Sequence, residues 1–201
     1  VADIDDNAKA RVIVLSSTGK HFSAGMDLSV FTDGDGVSAG QKTDQWARAE
    51  AMRQFVLKLQ GSFSCLDNTR IPVIAAIQGG CIGGSVERTS AGDRRYVTAD
   101  AFFQIQEINI GMTADVGTFP RLCNLMPTGM VRELAYSGRR LPAKKAAQLG
   151  LVNEVFTNQA EMLAHVMGVA KDIAEKSPLA VYGSKVMINY ARDHSTADGL
   201  D

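Results

Sequence analysis

Hydrophobic and polar positions follow two periods along this chain. Residues 11–15, RVIVL, form a β-branched run that stops at the turn-forming SSTGK; this pattern predicts a buried strand. Residues 73–77, VIAAI, are a second such run. Between them Met52, Phe55, Val56, Leu59, Phe63 and Leu66 recur at steps of 3, 1, 3, 4 and 3, one face of a 3.6-period helix. That helix starts near Thr43 and ends at Thr69-Arg70-Ile71-Pro72. Strand, helix, strand implies a right-handed crossover in a parallel sheet.

The pattern continues in short pieces. VIAAI runs into Gly79-Gly80-Cys81-Ile82-Gly83-Gly84 and then a helix from Ser85. Residues 95–97 and 102–105 read as strands around the turn Thr98-Ala99-Asp100, and residues 107–116 as loop. Residues 130–136 and 143–149 read as helices and residues 151–156 as the last strand. Residues 160–175 are amphipathic through Leu163, Val166, Met167, Ala170 and Ile173, and Ser177-Pro178 opens a final helix to about Arg192. Residues 32–41 are rich in Gly, Asp and Ser and read as a mobile surface loop. The sum is an α/β domain over residues 1–201 with helices covering a mixed sheet, a core of about 10–157 and a C-terminal helical part of about 158–201.

Composition narrows the function classes. Of 201 residues, 45% are apolar and 21% charged, a globular balance that excludes a disordered or collagen-like chain. Lys and Arg number 21 against 22 Asp and Glu, so no basic excess points to nucleic acid. No apolar run reaches the roughly 18 residues of a membrane span. Cys65, Cys81 and Cys123 are odd in number and widely spaced; they match no zinc spacing and suggest a reducing compartment. The chain opens on polar VADIDDNAKA without a signal-peptide pattern and stops at TADGLD without a closing element, so both ends read as truncated.

Three groups of residues can carry chemistry. The glycine segment 79–84 lies between a strand and a helix, where free N–H groups meet an anionic oxygen; it lacks the GxGxxG and P-loop spacings, and close strand–helix packing also explains it. In HFSAGMDL, Gly25 is expected to leave the N–H groups of Met26 and Asp27 available, though an ordinary turn has the same composition. His21, His165 and His194 lie far apart without a nucleophile motif, and His21 reads as structural or solvent-exposed. The third group is Glu87, Glu107 and Asp115. Glu87 suits the first turn of a helix for dipole reasons alone. Glu107 and Asp115 flank a mostly apolar stretch and would stand about 26 Å apart if extended. A reversal at Gly111 would bring them together, and two carboxyls in an apolar pocket titrate apart as base and acid; surface acids on a loop remain the alternative.

RVIVLSSTGKHFSAGMDL, IPVIAAIQGGCIGGSVE, ADAFFQIQEINIGMTADVGTFPRL and GRRLPAKKAAQLGLVNEVF, in that order, resemble the enoyl-CoA hydratase/isomerase (crotonase) family. EINIGMTADVGTFPRL and KSPLAVYGSKVMINYARDHS are similar to its dienoyl-CoA isomerase branch. The resemblance implies a spiral of ββα units with flanking helices, assembled as a homotrimer or homohexamer. It implies an oxyanion hole at the N–H groups of Met26 and Gly84, and an acyl-CoA path along Ala24, Gly25, Met26, Asp27, Leu28 and Gly84. It implies Glu107 as the base at C2, Asp115 as the proton donor at C6 and Glu87 as an auxiliary acid. The implied reaction turns a 3,5-dienoyl-CoA into the 2,4-isomer in fatty-acid β-oxidation. Coenzyme A belongs to the substrate, and neither metal nor cofactor is expected. The branch usually has Asp where this chain has Glu87, and Glu87 with Glu107 also matches the pair of an enoyl-CoA hydratase. Arg88, where an aliphatic residue is usual, is expected to pair with a pocket acid. A non-catalytic acyl-CoA-binding or scaffold protein on the same fold is the reading of another class. The compartment stays open: cytoplasm in a bacterium, mitochondrion or peroxisome in a eukaryote.

Overall fold

A computed structural model describes residues 1–27 and 44–200. Leu28, Thr43 and the loop of residues 32–41 lie outside the described residues. The helices are α1 (Ala2–Asp6), α2 (Gln45–Asn68), α3 (Gly84–Ser90), α4 (Thr118–Leu125), α5 (Thr128–Ser137), α6 (Ala143–Gln148), α7 (Gln159–Ala174) and α8 (Pro178–Asp193), with a 3-10 turn at Glu107–Ile110. The strands are β1 (Ile13–Leu15), β2 (Val73–Ile77), β3 (Gly80–Ile82), β4 (Arg94–Thr98), β5 (Phe102–Gln104), β6 (Leu141–Pro142) and β7 (Glu154–Phe156).

The described strands form two sheets, where the hydrophobic pattern predicted one mixed sheet. β1-β2-β4-β7 is parallel throughout; in β3-β5-β6 the first pair is parallel and the second antiparallel. Gly79, at φ +56°, turns the chain out of β2 before β3 begins. Residues 80–82, read in sequence only as part of the glycine segment, thereby form a strand of the second sheet. Each turn of the chain gives one strand to each sheet before a helix, β2 and β3 before α3, then β4 and β5 before the 3-10 turn and α4.

β2 is buried along its whole length, as a parallel strand covered on both faces requires. Ile74 and Ala76 pack with Tyr96 and with Met162, Val166 and Ala170 of α7. Ala75 and Ile77 belong to the larger core of Val97, Phe103, Leu122 and Leu141. Each fully buried isoleucine contributes about 1.5–3 kcal/mol. α8 is tied down by Lys185, only 7% exposed. Its Nζ donates to Leu66 O at 3.1 Å and Ile71 O at 3.2 Å and pairs with Asp93 Oδ2 at 2.9 Å, the partners a buried ammonium needs.

Other boundaries shift for local reasons. The last strand shrinks to Glu154–Phe156, because Leu151 and Val152 turn into the core ahead of it. α4 was not legible as a helix: it is eight residues long, and Pro120, harmless in a first turn, reads as a breaker in sequence. No described helix is long and apolar enough to cross a membrane.

Candidate active site

Two glycine-containing segments meet at the end of β3. Ser23 bridges Cys81 in parallel register; the Ser23 N–H donates to Gly80 O and the Ile82 N–H to Ser23 O, both at 3.1 Å. This lays residues 24–27 beside 82–84, so closely that a Cβ on Gly25 would lie 3.0 Å from Ile82 O. Gly83 adopts φ +55°, and a Cβ there would stand 3.1 Å from Glu107 Oε1; glycine alone meets both demands easily. Gly84 opens α3, so its N–H has no acceptor within the helix. Among the described residues no acceptor takes the N–H of Met26. Ala24, Gly25, Met26 and Gly84 line one cavity; Asp27 is exposed and stands off that lining.

The three candidate acids line the same cavity. Glu87, in the first turn of α3, is 1% exposed. Its Oε1 accepts a 2.7 Å hydrogen bond from Thr118 Oγ1, and its Oε2 would be 3.6 Å from a Cβ on Gly84. Burial pushes its carboxyl up to about 7; the Thr118 hydroxyl and the Val116 N–H pull it down, and the charges of Glu107 and Asp115 add to the rise. Glu107, half-buried, opens the 3-10 turn. Burial raises its carboxyl too, against its own and Gln106's N–H groups and with a contribution from Asp115.

Gly111 ends that turn at φ +74°, and the Met112 N–H reaches back to Glu107 O at 2.9 Å. The predicted reversal therefore occurs. Asp115 is on the cavity as expected, but it is exposed, not sealed in an apolar pocket with Glu107. It stands in the turn that leads into α4, between buried Ala114 and Val116. Gln60 Nε2 on α2 holds this segment through Asp115 O at 2.8 Å. Among the described residues no three of His, Cys, Asp and Glu are grouped so as to hold a metal ion.

The cavity has a volume of about 650 Å³, within the range of small-molecule sites. Met52, Phe55, Val56 and Leu59 of α2 form one wall. The apolar stripe that periodicity assigned to a helix face thus divides: Phe63 and Leu66 enter the core, and the preceding turns face the cavity. Gln104, Gln106, Asn109 and Arg140 supply the polar part of the lining. Neither this lining nor Thr118 was singled out from sequence, because its members are unremarkable by type and scattered along the chain.

Arg88 does not pair with a pocket acid. It is exposed, with its guanidinium 5.8 Å over the Phe63 ring centre, and it makes no ion pair with a described carboxylate. Ser85, Val86, Glu87, Thr89 and Ser90 of α3 are all buried, and Arg88 stands on the one exposed side of the helix. His165 packs against Tyr96 and Phe156, and His194 stacks on Tyr190.

The chain matches the Enoyl-CoA hydratase/isomerase family over residues 1–199. It is 42% identical over 200 residues to the mitochondrial Delta(3,5)-Delta(2,4)-dienoyl-CoA isomerase of Mus musculus, covering 98% of this chain and 60% of that protein. It is 37% identical over 201 residues to the peroxisomal enzyme of that name from Arabidopsis thaliana, covering 100% and 72%. The chain therefore spans about 60% of the length of the mouse relative. Its fold superposes on an enoyl-CoA hydratase from Geobacillus kaustophilus HTA426 at a TM-score of 0.83, with 30% identity over 98% of this chain and 71% of that one. A putative enoyl-CoA hydratase from Thermobifida fusca YX, solved with acetoacetyl-CoA, gives 0.84 at 26% identity over 94% and 73%. The ββα architecture expected from the motifs is the fold of these proteins. The chain belongs to the enoyl-CoA hydratase/isomerase family.

Proposed function

We propose that this chain carries the catalytic core of an isomerase that converts a 3,5-dienoyl-CoA to the 2,4-dienoyl-CoA. The thioester oxygen is held by the N–H groups of Met26 and Gly84. Such donors, aimed at a developing oxyanion in a dry site, are worth about 2.7–4 kcal/mol each. They acidify C2, and Glu107, against Gly83, takes the C2 proton. The electron pair moves through the conjugated system, the double bonds shift from C3–C4 and C5–C6 to C2–C3 and C4–C5, and C6 is protonated by Asp115. Proton and charge balance without a redox partner, and the thioester with its two amides bears the transient charge, so the reading calls for no bound cofactor. Glu87 is the auxiliary acid that tunes the pocket.

The observation that carries this reading is the gathering of Glu87, Glu107, Asp115 and both amide segments around one cavity. The names of the relatives support the choice of reaction. Hydration of an enoyl-CoA is the second reading, favoured by the flanking of Gly83-Gly84 by Glu107 and Glu87 and by the exposure of Asp115.

Ultraviolet absorbance separates the two. With 3,5-dienoyl-CoA an isomerase builds the 2,4-dienoyl chromophore; with 2-enoyl-CoA a hydratase bleaches the enoyl band. Growth of the dienoyl band, abolished by Glu107→Gln, is the expected result. Bleaching without isomerisation would transfer the assignment to hydration, and acyl-CoA binding without either change would transfer it to a non-catalytic role.

A further inference from the structure

His21 is a candidate that the reaction itself leaves unused. Its Nδ1 lies 2.9 Å from the N–H of Gly80. An amide N–H only donates, so Nδ1 is the acceptor and the ring proton sits on Nε2. The surrounding backbone explains the bond. Phe22 N–H to Gln78 O, Ser23 N–H to Gly80 O and Ile82 N–H to Ser23 O are successive rungs between the two chain segments. The remaining donor, Gly80 N–H, does not find the carbonyl of His21, which accepts from Ser17 Oγ at 3.0 Å. The imidazole supplies the acceptor in its place.

The contact is built, not incidental. A Cβ at Gly79 would collide with Lys20 O and come within 2.8 Å of Nδ1, and one at Gly80 would lie 3.3 Å from it. Phe102 meets the imidazole edge-on at 6.3 Å between ring centres, and the Arg140 guanidinium covers Phe102 at 4.3 Å.

We infer that His21 is a positioning residue: its imidazole locks the segment leading to Met26 onto β3, which leads to Gly84, and so sets the separation of the two amides. The inference rests on the proposed role of those amides. A misplacement of about 1 Å at a reacting centre costs on the order of 100-fold in rate, so a lost rung here acts on kcat more than on KM.

The test uses the intact protein with His21→Leu, which removes the acceptor, and His21→Asn, whose Oδ1 takes the position of Nδ1. Ring ¹⁵N NMR in mildly alkaline buffer is expected to show a bare Nδ1 and a protonated Nε2. Hydrogen exchange at the Gly80 and Ser23 amides, both bonded between the two segments, should quicken in His21→Leu and stay near wild type in His21→Asn. In turnover of 3,5-dienoyl-CoA, His21→Leu should lose about tenfold or more in kcat with KM little changed, and His21→Asn should recover most of it. A protonated Nδ1 overturns the inference, as does unaltered exchange in His21→Leu or an Asn variant as impaired as the Leu one. If Leu prevents folding, the tautomer and the Asn variant decide. If the wild-type protein turns over no dienoyl thioester, the functional reading fails by itself, while tautomer and exchange still judge the lock.

Discussion

Thr118 and Glu87 are joined by a 2.7 Å hydrogen bond across 31 residues of chain, and each is 1% exposed. The hydroxyl of α4 thereby stabilises a carboxylate of α3 that has little contact with water. The burial of Glu87 and the position of its Oε2 beside Gly84 both depend on α4 lying where it does.

Thr118→Val keeps the shape and deletes the donor. The carboxyl of Glu87 then loses an interaction that lowers its pKa, so it should titrate above about 7. An unsatisfied buried group costs about 1–3 kcal/mol, and the loss should appear in alkaline buffer where Glu87 is ionised. Denaturant midpoints and a carboxyl ¹³C titration measure the two effects. An unmoved Glu87 titration would show that Thr118 is not its partner in solution.

Glu87 also imposes a pH dependence on stability. Its folded pKa of about 7 exceeds the ordinary 4.5, so the folded state holds this proton more tightly than the unfolded chain. The stabilising contribution is complete below about 4.5, declines as pH rises, and is gone above about 7. Glu87→Gln cannot ionise. Its stability should track wild type in acid and exceed it above pH 7 by a few kcal/mol, on the order of 1.4 kcal/mol per pKa unit. Equal urea midpoints for the two proteins at alkaline pH would contradict this.

Glu107 and Asp115 should separate by reaction. Glu107→Gln removes the base and should lower turnover about 10²–10⁴-fold. Because burial raises the Glu107 carboxyl, the acidic limb of the wild-type kcat/KM profile should lie above the ordinary carboxylate range. Asp115→Asn should impair isomerisation more than any hydration of 2-enoyl-CoA; equal losses would reject the assignment of C6 protonation to Asp115.

Gly83→Ala should fail twice over. An alanine at φ +55° and ψ −130°, outside the regions open to L-residues, costs about 1–3 kcal/mol, and its methyl would press on Glu107 Oε1 at 3.1 Å. Thermal unfolding should reveal the strain. A fall in kcat greater than the fall in folded fraction would report the displaced carboxylate.

Much of this was open to inspection in one dimension. The VIAAI strand, the long helix from its stripe of Met52 to Leu66, and the reversal at Gly111 each follow from local steric and hydrophobic rules. The motif order pointed to the fold, and with it to the acids at 87, 107 and 115. Less visible was the division of that stripe between core and cavity, since periodicity marks an apolar face without naming what covers it.

The sequence by itself determined the longer strands and helices and where glycine is required, because these depend on neighbours a few residues away, and the order of its motifs pointed to the acids of the site. Tertiary structure alone decided that VIAAI and GCI enter different sheets, that Arg88 turns outward, that Asp115 stays wet, and that Thr118 and His21 hold the parts of the site together. Those outcomes depend on contacts between residues tens of positions apart, and burial and hydrogen-bond partnership exist only once the chain has closed on itself.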